Sequence, residues 1–116
     1  MLFNDFFKGD DIMRIAIPVL QGRLAEDFEQ CREVDIHETL HQDDKQQIFF
    51  ISPTIEPWRL PLWFQEHDVD VMIAGKIDEK TVFFLEKAGI KVIKGAPPLS
   101  PKDVVRQYLT DQLILN

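Results

Sequence analysis

The spacing of apolar positions changes several times along the chain, and each change predicts an element. In Met13–Val19 (MRIAIPV), Ile15 and Ile17 alternate with Arg14 and Ala16, the period-two pattern of a β-strand. Pro18 near its end predicts an amide that no ladder needs. Residues 20–32 read as a loop with one helical turn. Two strand-like runs, residues 33–39 and 46–52, flank the polar stretch His41-Gln42-Asp43-Asp44-Lys45 and predict an antiparallel hairpin. The run Ile48-Phe49-Phe50-Ile51 is apolar throughout, as a strand covered on both faces would be. Prolines 53, 57 and 61 hold the next loop, and Pro61 suits the first turn of a short helix over residues 62–67.

The most constrained stretch is residues 69–95, VDVMIAGKIDEKTVFFLEKAGIKVIKG. Two apolar runs, residues 69–74 and 90–93, are closed by Gly75 and Gly95 and enclose a helical pattern. Asp78 is suited to cap the helix, because its carboxylate can accept from free amides of the first turn. Ile77 and Val82 are placed as a hydrophobic staple, and Gly89 stands where the helix exit needs a left-handed residue. Two strands joined by a helix run parallel, with a right-handed crossover. Ligands of such sheets bind at the carboxyl ends of the strands, here near Gly75 and Gly95. A last helix starts at Ser100 as N-cap, with Pro101 first, Asp103 third, and Leu99 and Val104 as staple. Val104, Val105, Tyr108, Leu109 and Leu113 form its apolar face, and its tail is expected to fray after Leu113. The element order predicts an α/β domain over residues 13–116, with a five-stranded mixed sheet, helices on both faces and one hairpin strand antiparallel to the rest. Residues 1–12, with Leu2, Phe3, Phe6 and Phe7, read as an extension: an arm packed on the domain, a partner contact, or an upstream start ahead of Met13.

Composition narrows the function classes. A chain of 116 residues with 45% apolar content is one globular domain. Its net charge of −7 argues against nucleic acid or an anionic membrane as partner, since both demand clustered Lys and Arg. No apolar run approaches membrane length, and the N-terminus lacks the form of a signal peptide. Cys31 is the single cysteine, so no intramolecular disulfide forms and a reducing, cytoplasmic setting is expected.

MRIAIPV at the start, LPLWFQEHDVDVMIAG in the middle and AGIKVIKGA near the end resemble the dinitrogenase iron–molybdenum cofactor biosynthesis family, which comprises the NifX and NafY proteins, the C-terminal part of NifB and small stand-alone relatives. The resemblance covers roughly residues 13–112. It implies a three-layer α/β/α fold with a ribonuclease H-like motif, as in nitrogenase accessory factors. It also implies a non-enzymatic role: binding and carrying iron–sulfur or iron–molybdenum cofactor precursors. The family's loop pattern S-x-H-F-G-R-A falls on Ala25–Cys31, where Phe28 is kept, Asp27 stands for the histidine and Glu29 for the glycine. The pattern G-G-[IM]-G falls on Gly75-Lys76-Ile77-Asp78, and Gly95-Ala96 is followed by Pro97-Pro98. The implied cofactor-binding set is Asp27, Phe28, Cys31, Gly75, Lys76, Gly95 and Ala96, with Cys31 and Asp27 as metal ligands. Asp for His exchanges a nitrogen donor for a harder oxygen.

Other features carry bland readings beside chemical ones. Cys31 is either one ligand of a cluster or a small residue packing the first turn. As a nucleophile it has no base placed beside it. His37 and His41 share a helical spacing, but the pattern puts them on a strand end and its turn. His67 at the end of the short helix is placed to meet carbonyls there. Gly75-Lys76 lacks the upstream glycine of a phosphate loop, and Lys76 is expected to pair with nearby acids. Trp63 reads as core; Trp58, between prolines, is either packed or a contact residue. A nuclease of this fold needs a carboxylate on the first strand, and none is there. Two classes stay open: a carrier of a metal cofactor precursor with a diverged site, or an interaction or regulatory module that kept the fold and binds no cofactor. A protein partner or a homodimer fits both.

Overall fold

The computed structural model describes residues 13–40, 43–50 and 60–116, the strand at 43–50 by its backbone pairing. The N-terminal extension, His41 and Trp58 lie outside the described residues.

β1 (Met13–Leu20) is the hub. Gln21 and Gly22, at φ 55° and 79°, turn it tightly into β2 (Arg23–Leu24), with Leu20 opposite Arg23. Positive φ at both turn residues is what the type I′ turn of a two-residue hairpin requires. This short strand lies in the region expected to be loop. The expected helical turn is there too, a 3₁₀ turn at Phe28–Gln30. β3 (Glu33–Leu40) and β4 (Asp43–Phe50) form the hairpin, each longer toward the turn than its apolar run. After α1 (Leu60–Glu66) come β5 (Val71–Ile73), α2 (Glu79–Lys87), β6 (Lys91–Ile93) and α3 (Pro101–Leu109).

The sheet order is β4-β3-β1-β5-β6, with β2 paired to β1 off this path. β3 is antiparallel to both neighbours, while β1, β5 and β6 run parallel. The five strands of the path form the expected mixed sheet, and the short β2 adds a sixth. β4 ends the path with β3 as neighbour, and the coverage of its two faces, expected from its apolar run, lies outside the described side chains.

Two cores lie on opposite faces, because successive residues of a strand point to opposite sides. Ala16, Met72, Val34 and Ile36 face Phe64 of α1 and Leu85 of α2. Ile15, Ile17, Val71 and Ile73 face Val104 and Val105 of α3. Three layers result. Trp63 is partly buried against the first core. Asp35 and His37 of β3 are buried, in register with Ile17 and Ile15, their Oδ2 and Nε2 atoms 3.9 Å apart.

Both predicted caps form. Asp78 Oδ1 accepts from the amides of Lys80 (2.6 Å) and Thr81 (3.1 Å), and Ser100 Oγ accepts from the Asp103 amide (3.2 Å). The C-termini share one device. The Ile90 amide reaches back to the Leu85 carbonyl, Val69 to Phe64 and Gln112 to Gln107, the six-to-one bond of a Schellman motif. The left-handed residue is Gly89 in α2 but Asp68 (φ 56°) and Asp111 (φ 59°) after α1 and α3. α3 therefore stops at Leu109 rather than fraying past Leu113. His67 Nδ1 lies 2.8 Å from the Trp63 carbonyl, in the carbonyl-meeting role expected of it.

Candidate functional site

The carboxyl ends of β5 and β6 open into a cleft of about 430 Å³, lined by Glu26, Lys76, Lys94, Gly95, Pro97 and Asn116 among others. The parallel βαβ unit builds it: both strands end at the same level, and the Gly95 amide donates to the Gly75 carbonyl (3.0 Å) while Ala96 donates to Ala74 (3.0 Å). Of the residues expected from sequence, Gly75, Lys76, Gly95 and Ala96 come together here.

Asp27 and Phe28 sit directly behind this cluster. The Lys76 amide donates to the Glu26 carbonyl (2.7 Å), the Phe28 amide donates to the Lys76 carbonyl (2.8 Å), and Asp27 bridges Lys76 in parallel fashion. The Asp27 carboxylate accepts from the Glu29 amide (3.1 Å), capping the 3₁₀ turn. Phe28 is buried in the first core.

Cys31 stands apart from the cleft lining. Its thiol is buried in the first core, and burial, opposed by the nearby Arg32 charge, pushes it up to about 11. A thiol so placed is a weak nucleophile and a reluctant ligand, since the thiolate is the reactive form.

The glycines have a physical reason that the sequence hides. A Cβ on Gly75 would come within 2.7 Å of the Glu26 carbonyl oxygen and 2.8 Å of that of Ala25. The β2-to-3₁₀ loop therefore crosses Gly75 at backbone contact. Gly95, at φ 83°, has Asn116 lying over it in the same way.

The charges are unequal in their engagement. Lys94 Nζ is held by Glu79 Oε1 at 2.6 Å. Lys76 is exposed and, contrary to expectation, forms no ion pair among the described residues. Lys94, Glu26 and Asn116 were not singled out from sequence; position after the second strand's end was the signal available for Lys94. Among the described residues, no three His, Cys, Asp or Glu side chains are grouped to hold a metal ion. The cleft thus offers lysine ammonium groups, one carboxylate and backbone, with no soft donor in its lining.

Comparison with known proteins agrees with this architecture. No curated protein sequence matches the chain. Among solved structures it is similar to the protein PH0822 (TM-score 0.82, 19% identity, covering 90% of this chain and 95% of that one). It is similar also to a protein of Methanocaldococcus jannaschii (TM-score 0.71, 17% identity, 91% and 96% covered). A third is the apo form of the orange protein of Desulfovibrio gigas (TM-score 0.71, 19% identity, 91% and 94% covered). At such identities these likenesses show the fold. A family model, however, matches residues 11–111, and with nearly the whole chain so covered, the chain belongs to the dinitrogenase iron–molybdenum cofactor family.

Proposed function

We propose that the chain is a non-enzymatic carrier that holds an iron–sulfur or iron–molybdenum cofactor precursor in the strand-end cleft. The observation that carries this reading is the presence of two lysines in the lining at the carboxyl ends of β5 and β6, Lys76 exposed and Lys94 paired with Glu79, in a chain of net charge −7. An anionic metal–sulfur cargo brings its own sulfide, so charge and shape can hold it where the lining has no thiolate. Family membership supports the class of cargo. The buried Cys31 thiol, pushed up to about 11, supports the absence of cysteine catalysis. A carrier hands its cargo on; Phe83 and Phe84 on α2, 54% and 40% exposed, supply an apolar surface suited to a protein partner or a second copy.

A second reading, an interaction module without cofactor, is favoured by the backbone that fills the space over Gly75 and Gly95. Anaerobic incubation with ferrous iron, sulfide and molybdate, followed by desalting, metal analysis and a visible spectrum, separates the two. The carrier reading expects retained metal, weakened by the double change Lys76→Ala and Lys94→Ala. Cys31→Ser tests ligation by Cys31: unchanged retention leaves charge and shape as the holding forces, and lost retention restores the thiolate and, beside it, Asp27. No retained metal in the unaltered chain removes the carrier reading.

A further inference from the structure

The chain's own C-terminal segment lies against the cleft. After α3, Thr110 caps the helix by donating its hydroxyl to the Arg106 carbonyl (2.9 Å), and Asp111 turns the chain at φ 59°. Leu113 packs on the second core, whereas Ile114 and Leu115 are 78% and 47% exposed. Asn116 then donates its amide to the Gly95 carbonyl (2.8 Å) and forms part of the cleft lining.

Glycine at position 95 leaves a space at the end of β6, and Asn116 backbone fills it: a Cβ there would collide with the Asn116 carbonyl oxygen and come within 3.1 Å of its nitrogen. A ligand approaching Gly95 and residue 116 therefore compete for one place. The lining also includes Pro97 and Pro98, whose fixed φ resists movement. The C-terminal segment is the yielding side. Lifting residues 114–116 exposes little further apolar surface, because the Ile114 and Leu115 side chains already face solvent, and Leu113 remains as the anchor.

We propose that Ile114–Asn116 is a strap across the strand-end cleft, and that a ligand reaches Gly95 when the strap is displaced. This rests on the carrier reading of the cleft. The test compares the full chain, a chain ended after Leu113, and Asn116→Pro, which lacks the donating amide at full length. Each is loaded anaerobically with ferrous iron and sulfide over a range of iron concentrations, and amide exchange of residues 114–116 is followed in the full chain. Expected are slower exchange at Asn116 than at Ile114 before loading, loss of that protection on loading, and half-loading of both variants at about fivefold lower iron, the worth of one net hydrogen bond. Equal loading of all three chains, or free exchange at Asn116 before loading, overturns the strap and leaves the carrier reading standing. No iron retained by any chain overturns both.

Discussion

Replacing Gly75 by alanine separates two explanations of a strand-end glycine. The backbone of Gly75 is not in the left-handed region, so alanine there meets no conformational penalty of its own. The obstacle is steric: the new methyl lies 2.7 and 2.8 Å from the carbonyl oxygens of Glu26 and Ala25, well inside the 3.4 Å at which ordinary contact begins. Both obstacles are backbone, so no side chain can swing away. The loop must move, and it is tied to the site by the Lys76-to-Glu26 and Phe28-to-Lys76 hydrogen bonds. Overpacking of this kind costs about 1–3 kcal/mol, and weakening one of those hydrogen bonds adds about 1 kcal/mol. Gly75→Ala should therefore lose roughly 2–4 kcal/mol. Gly89→Ala is the control: nothing lies within 4 Å of its added Cβ, but its φ is 88°, so it should lose only about 1–2 kcal/mol, the left-handed penalty. Urea unfolding followed by circular dichroism measures both. A Gly75→Ala loss below about 1 kcal/mol, or below that of Gly89→Ala, would refute the claim that backbone contact, rather than ligand approach, requires this glycine.

Other changes test separate parts of the structure. Asp78 has its carboxyl held below the usual carboxylate range, chiefly by the Thr81 amide and then by the Thr81 hydroxyl. Its contribution is thus present above the ordinary carboxylate value and fades as pH falls through the lowered one; Asp78→Ala should lower the melting temperature at neutral pH and converge with the unaltered chain in acid. Cys31 behaves oppositely in sign: with its thiol raised from 9.0 to about 11, the stability tied to the neutral form is complete below about pH 9 and lost toward pH 11. Iodoacetamide should accordingly label Cys31 slowly at pH 8 in the folded chain and rapidly in urea; fast labelling of the folded chain would contradict its burial. Asp35→Ala removes a buried carboxylate 3.9 Å from the buried His37 ring and should cost about 1–2 kcal/mol by urea unfolding, whereas Arg14→Ala, losing a partly exposed pair with Glu38, should cost under about 1 kcal/mol.

Local chemistry was legible in the sequence. Asp78, Ser100 and Gly89 announce helix boundaries because caps depend on a few neighbouring residues, and the βαβ unit followed from the apolar runs between Gly75 and Gly95. The C-terminal caps at Asp68 and Asp111 were not legible, since aspartate signals a left-handed position far less strongly than glycine. β2 is two residues long, too short to show a period. The site was half legible: Gly75, Lys76, Gly95 and Ala96 follow from strand ends, and the packing of Cys31 was one of its two readings, while the arrival of Asn116 over Gly95 depends on contacts between residues far apart in sequence. A glycine reads the same whether it admits a ligand or another stretch of the same chain.

The sheet is joined unevenly. β1 meets β3 over seven register pairs, Met13 with Thr39 through Val19 with Glu33, but meets β5 over Ile15–Val71 and Ala16–Met72 alone. The antiparallel half closes through near-neighbour turns, whereas the β1–β5 seam joins residues more than fifty positions apart. Loop-closure entropy sets the order in which such halves assemble: the β1–β3–β4 meander and the β5–α2–β6 unit each form on local contacts, and the seam is the late step. The seam is also where the chain is expected to open first below global unfolding, and the strand-end cleft spans it, with Glu26 from one half and Lys76 and Lys94 from the other. Pulsed hydrogen exchange during refolding would show amides of β5 protected after those of β3; simultaneous protection would mean that the sheet forms as one unit.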